Sequence, residues 1–339
     1  MNTKRWVAVA IAAFLFFASI GFSVLSSLLS KNVSEQVTSM FTDPTDDELA
    51  ETVQQAGSAS KRIALLTVDG TIQDTGEESL FSSETYNHQA FMKQLNAINQ
   101  DKTVKGVVLN VNSPGGGVVE SKQIYEKIKE IQKERQIPIY VSMGSMAASG
   151  GYYISAPADK IFADEETITG SIGVIMQGVN YSKLAKKYGI EFETIKTGPY
   201  KDIMSGTRET TDGDRKILQT MVDESYERFV NVIADGRDLS KAEVKKLADG
   251  RIYSGSQAKK NGLVDELGYE NDAIEALKKE HNLKGAEVFA YDSSDSFASL
   301  FTAKASSFLT SGSADAHVIS TILKNYNSAP RMMYLYGEE

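Results

Sequence analysis

The chain contains no cysteine among its 339 residues. Disulfides, thiolate nucleophiles and thiolate metal sites are thereby excluded. Histidine is nearly as scarce: His88, His281 and His317 are the only three, and none stands beside the small-residue segments described below. A histidine metal centre would have to gather them from distant segments, so neither a metal nor a cofactor is expected. Net positive charge is missing too. With 36 basic and 45 acidic residues the formal charge is −9, which argues against a surface built for nucleic acid. What is present, 41% hydrophobic and 24% charged residues, is the balance of a folded globular protein.

One long stretch, Trp6 to Leu29, carries no charge and is mostly apolar. As a helix it would reach about 36 Å at ~1.5 Å per residue, enough to cross a hydrocarbon core of ~30 Å. Lys4 and Arg5 precede it, whereas Asp43, Asp46, Asp47, Glu48 and Glu51 follow. The positive-inside rule then keeps the N-terminus in the cytoplasm and places the rest outside the cell membrane. Residues 1–30 are therefore read as cytoplasmic residues plus a single-pass anchor. A cleaved signal peptide is the competing reading, although such peptides usually have a shorter apolar core.

Residues 31–60 are polar and acidic and read as a linker or juxtamembrane segment. A globular region follows over 61–290. Its apolar runs at Ile63–Val68, Gly106–Val111 and Ile137–Val141 predict strands, as do the shorter Lys160–Ala163 and Ile172–Met176. Between them, Ile124, Ile128 and Ile131 mark one face of a helix over Val118–Arg135. Thr211 and Asp214 form a capping box, opening a helix expected to bury Leu218, Met221, Val222, Phe229 and Ile233. Such alternation predicts an α/β fold with a largely parallel sheet. Residues 291–339 form a Ser- and Ala-rich tail ending in Met332-Met333-Tyr334-Leu335-Tyr336.

Two segments could carry chemistry. Asn112-Ser113-Pro114-Gly115-Gly116-Gly117 joins a buried strand to an amphipathic helix, and its glycines let successive N–H groups face one anion. Phosphate binding, an oxyanion hole and an ordinary turn all remain open, though a P-loop ending is absent. In the second segment, Ser149 lies among Ala147, Ala148, Gly150 and Gly151, so little bulk shields its hydroxyl. That resembles a nucleophile turn, or simply close helix packing. A serine nucleophile needs a base, and the histidines are poorly placed. A lysine can serve if burial moves its pKa from about 10.4 toward about 7–8, which costs roughly 4 kcal/mol. Lys201, on the stiff turn Gly198-Pro199-Tyr200-Lys201, is one of many lysines, most of them surface charges.

Taken in order, Asn112-Ser113-Pro114-Gly115-Gly116, Ser145-Met146-Ala147-Ala148-Ser149-Gly150-Gly151-Tyr152-Tyr153, Thr169-Gly170-Ser171-Ile172-Gly173 and Gly198-Pro199-Tyr200-Lys201 resemble the signal peptide peptidase A (SppA) family. The similarity runs from about Arg62 to Leu283. It implies a Clp-protease/crotonase-like fold of repeated β-β-α and β-α-β units, and a serine endopeptidase with a serine–lysine dyad. Ser149 would be the nucleophile, Lys201 the base and Ser171 the group orienting the lysine amine. The backbone N–H groups of Gly116 and Gly150, with Gly115 as an alternative, would hold the oxyanion. The resemblance further implies a homo-oligomer with active sites between subunits and, as substrates, remnant signal peptides left in the membrane. Rival readings are a crotonase-like acyl-CoA enzyme and a catalytically inactive membrane scaffold. The apolar tail end is a candidate occupant of the enzyme's own groove or a docking segment for a neighbour.

Overall fold

The computed structural model describes residues 49–74, 86–291 and 331–337. The expected membrane anchor lies outside them. Among the described residues no helix is long and apolar enough to cross a membrane.

Nine strands form one sheet. Its central path runs β1 (Glu51–Gln55), β10 (Ala286–Tyr291), β2 (Ser58–Asp69), β3 (Val104–Ser113), β5 (Ile139–Ala148), β6 (Lys160–Ala163) and β9 (Glu266–Leu267), with β7 (Ile168–Gly170) and β8 (Ile252–Ser254) branching from β5. Most neighbours are parallel, but β1 pairs antiparallel with β10 and β8 antiparallel with β7, so the sheet is mixed. Strands also occupy Glu51–Gln55 and the start of β2, inside the segment whose polar sequence reads as a linker. Their side chains are mostly exposed, so pairing with β10 and not burial holds β1 in place.

Alternation along β3 explains the two-sided core. Val107, Leu109 and Val111 face α1 (His88–Gln100) and α2 (Val118–Arg135), which contribute Phe91, Leu95 and Ile98, and Ile124, Ile128 and Ile131. Val108 points the other way, with Tyr140 and Phe162, onto Ile274 and Leu277 of α8 (Glu270–Glu280). Two of the three histidines lie among the described residues, and both are structural. His88 is buried between the Tyr86 hydroxyl and Gln123, at 2.7 Å from each, and His281 stands against Tyr140.

Two expectations need correction. Ile172–Met176 is not a strand: it has no sheet partner along its length, and only Ile175 makes an isolated bridge, to Met333. The capping box of Thr211 and Asp214 does open a helix, α5 (Asp212–Arg237), but only its second half joins the core. Phe229 and Ile233 are fully buried, whereas Met221 is exposed and Leu218 and Val222 are half-buried. Val179 and Met204 line, with Leu218 and Val222, an open cavity of about 370 Å³ instead of a packed core.

Candidate active site

The site forms where β5 leaves the main sheet. Val111 pairs with Met143 but Ser113 pairs with Ala147, so β5 bulges over Gly144–Met146. Asn112 pins the bulge by accepting the Met146 N–H at 3.2 Å. Before the bulge β5 pairs with β6, and beyond it Ala148 pairs with Gly170 of β7. Ser149 and Ser171 therefore end two adjacent parallel strands at the same level.

Ser149 caps α3 (Gly150–Ser155) with φ 53° and ψ −115°, a conformation that costs a side-chain-bearing residue about 1–3 kcal/mol. The chain is held there by the Ser149 N–H donating to Gly170 O at 2.8 Å and the Tyr153 N–H donating to Ser149 O at 2.8 Å. Ser171 also has positive φ, 48°, and its N–H donates to Arg251 O at 2.8 Å. Both serines are buried. Two strained, buried serines at the ends of adjacent strands are an arrangement the surrounding strands must enforce.

Gly115–Gly117 forms β4, bound along one side to Ile72, whose N–H donates to Gly115 O and whose carbonyl accepts the Gly117 N–H, both at 2.8 Å. On the other side lies β11 (Met333–Leu335), antiparallel, with Tyr334 opposite Gly116. Met333 also exchanges two backbone hydrogen bonds of 3.0 Å with Ile175. The chain's own tail is thus a strand set between β4 and the Ile175 segment. Space around its backbone is tight. A Cβ on Gly115, whose φ is +104°, would lie 2.0 Å from the Tyr334 carbonyl oxygen and 2.6 Å from the Gly150 nitrogen. One on Gly150 would lie 3.0 Å from the Gly116 nitrogen and 2.7 Å from the buried, unpartnered hydroxyl of Ser121. The Tyr334 carbonyl and the amides of Gly116 and Gly150 therefore border one small space beside Ser149.

The Tyr334 side chain fills a pocket. Its ring stacks on Tyr153 of α3 at 4.9 Å between centroids and meets Phe229 of α5 at 4.7 Å. Its hydroxyl lies 3.1 Å from both Oγ and the carbonyl oxygen of Ser225. Burial raises the Tyr334 phenol above its ordinary pKa, so it stays neutral. Sequence reasoning singled out Tyr334 within the apolar tail but did not join it to Tyr153 and Phe229, which it placed only in a motif and on a helix face, or find Ser225. They come from two helices distant in sequence, with no motif to join them.

Within one chain Lys201 makes no side-chain bond to the described residues of this site. It is exposed, on a run of turns, and among the described residues no hydrogen bond or ion pair joins it to Ser149 or Ser171. No group of three or more potential metal ligands occurs among the described residues.

Comparison with known proteins gives this geometry a context. The profile of Peptidase family S49 matches residues 131–284, and that of Clp protease matches residues 78–167. A protein of Enterococcus faecium, named "Putative signal peptide peptidase SppA", is 45% identical over 99% of both chains. "Protease 4" of Haemophilus influenzae is 40% identical over 63% of this chain and 34% of its own length. "Serine protease SPPA, chloroplastic" of Arabidopsis thaliana is 27% identical over 66% of this chain and 33% of its own. The full-length match to the first, with the Clp-like α/β fold around a strained serine, places the chain in peptidase family S49 as a serine peptidase of the SppA kind.

Proposed function

We propose that this protein is a membrane-anchored endopeptidase that cuts extended peptides with Ser149 as nucleophile and Lys201, from a neighbouring copy, as general base. Remnant signal peptides are its proposed substrates. The reading rests first on the tail strand. A peptide laid between β4 and Ile175 makes backbone bonds on both sides, which suits extended chains of varied sequence. With Tyr334 as guide, the scissile carbonyl lies against the amides of Gly116 and Gly150, which would receive the developing negative charge. Ser149 would attack that carbonyl, and the lysine amine would take its proton and pass it to the leaving amine. Ser171, level with Ser149, would hold the amine by a hydrogen bond.

A neighbouring copy is invoked because of where Lys201 stands. The segment leading to it exposes Val179, Tyr181, Leu184, Tyr188, Ile190, Phe192 and Ile195, the last at 96%. An isolated soluble surface rarely concentrates so much apolar area in one arm. Docking that arm on a second copy would bury it and carry Lys201 toward the partner's serine in the same movement. The run Trp6–Leu29 supplies the membrane anchor, and the name of the Enterococcus relative supplies the substrate class.

The tail itself offers a test. Mass measurement of purified protein should show wild type losing the residues after Tyr334, while Ser149→Ala keeps them. Intact tails in both proteins would remove the tail as a guide to substrate alignment. Hydrolysis of a tyrosine-containing peptide by the same two proteins tests the activity: turnover by Ser149→Ala equal to wild type would refute the proposed nucleophile.

A further inference from the structure

We propose that Arg208 is a positioning residue for the lysine base, clamping the turn that carries Lys201 onto the start of α5. The proposal rests on the reading of Lys201 as base. From Gly198 to Met204 the backbone makes only turns, so no sheet or helix fixes where Lys201 points. Side chains on either side of it do. The ring of Tyr200 lies on the first turn of α5, where a Cβ at Gly213 would stand 2.8 Å from its hydroxyl. Asp202 has a second anchorage. Its Oδ1 lies 2.9 Å from Arg208 Nε, close enough for an ion pair though out of line for a directed hydrogen bond. The guanidinium ends of Arg208 donate to both oxygens of Asp214. Asp214 is fully buried, and its carboxylate closes the α5 capping box by accepting the Thr211 N–H at 2.9 Å.

This bridge asks for an arginine. One edge of the guanidinium addresses the turn and the other the helix, a fork that a lysine ammonium does not supply. Lys196 adds to the turn side, its Nζ 2.7 and 2.8 Å from the Asp202 oxygens. Both carboxylates titrate below their ordinary range, Asp202 chiefly through Lys196 and Asp214 chiefly through Arg208. Groups with depressed pKa values contribute above the ordinary carboxylate value and lose that contribution as pH falls through the lowered one. The clamp is thus intact at neutral pH. A plain helix-capping role for Arg208 is the alternative. It differs in consequence, because the far part of α5 supplies Ser225 and Phe229 to the peptide pocket. Loosening the whole helix would disturb peptide binding, whereas loosening the turn alone would disturb only the base.

Steady-state hydrolysis of a tyrosine-containing peptide by the full-length oligomer separates these cases. Arg208→Gln should lower kcat about 100-fold and Asp202→Asn about 10-fold, with KM changed by less than about twofold, because a base displaced by ~1 Å costs rate and not binding. Asp202→Asn leaves the Arg208–Asp214 pair in place and decides the matter if Arg208→Gln fails to fold. Wild-type kcat in both variants, beside an inactive Lys201→Ala, would overturn the clamp while sparing the base. A rise in KM matching the fall in kcat/KM would reduce Arg208 to a helix cap. Activity in Lys201→Ala would instead overturn the base and the clamp with it.

Discussion

Lys201→Arg should lower kcat/KM for peptide hydrolysis by about 10³-fold or more, the scale of a general base, without unfolding the protein. Arginine keeps the positive charge and the length of the side chain, so any surface role of Lys201 survives the change. What it removes is the ability to become a neutral amine at working pH. Folding of the single chain should hardly move, since there the side chain is exposed and such substitutions change stability by within about 0.5 kcal/mol. Thermal unfolding and sedimentation of the variant check those points alongside the rate. A scaffold, by contrast, would be indifferent to the substitution. Unchanged turnover in a folded, assembled Lys201→Arg protein would therefore rule out the lysine as base.

The second large effect belongs to Gly115. A methyl group there would stand 2.0 Å from the Tyr334 carbonyl and 2.6 Å from the Gly150 amide, in the space proposed for the oxyanion. Gly115→Ala should reduce kcat at least about 100-fold, as removal of an oxyanion donor does. Backbone strain complicates the reading, because φ at Gly115 is +104° and alanine there costs stability as well. Gly285→Ala supplies the control. Its φ is +76° with nothing within 4 Å of the added methyl, so it carries the strain without the obstruction. It should lose stability and keep its activity. Equal activities in the two variants, measured well below their unfolding temperatures, would contradict an oxyanion site bordered by Gly115.

Much of the fold could be read from periodicity. Helix α2 runs from Val118 to Arg135 as its spacing of isoleucines predicts, and β3 extends around the run Gly106–Val111. Helices α1 and α8 went unread although each buries an apolar face, and β1 went unread because its order comes from pairing. Glu51–Gln55 is polar and still forms a strand on β10, while apolar Ile172–Met176 finds no sheet to join. Local pattern reports on burial, and Ile172 is indeed fully buried, but pairing decides whether either segment is a strand. The same division holds at the site. Small residues around Ser149 announce a close approach, because packing of that kind excludes side chains from the sequence itself. Arg208 and Asp202 announce nothing and Asp214 announces only its capping box, since ion pairs leave no spacing rule in an irregular loop. The half-exposed apolar face of α5 at Leu218, Met221 and Val222 shows the reverse case. There the sequence carries the pattern for a buried face that a single chain does not bury.

That mismatch leads back to assembly, on which the proposed chemistry depends. A dyad shared between copies predicts that two inactive variants can repair each other. Ser149→Ala subunits retain the lysine, and Lys201→Ala subunits retain the serine. Reassembled at equal amounts into a closed ring, about one contact in four would unite both intact groups, recovering about a quarter of wild-type activity. Measuring peptide hydrolysis before and after such subunit mixing is the direct test. Recovery toward that fraction is the expected result. Mixed oligomers that form, verified by differently tagged subunits, yet remain as inactive as either parent would contradict a lysine reaching across to its neighbour's serine.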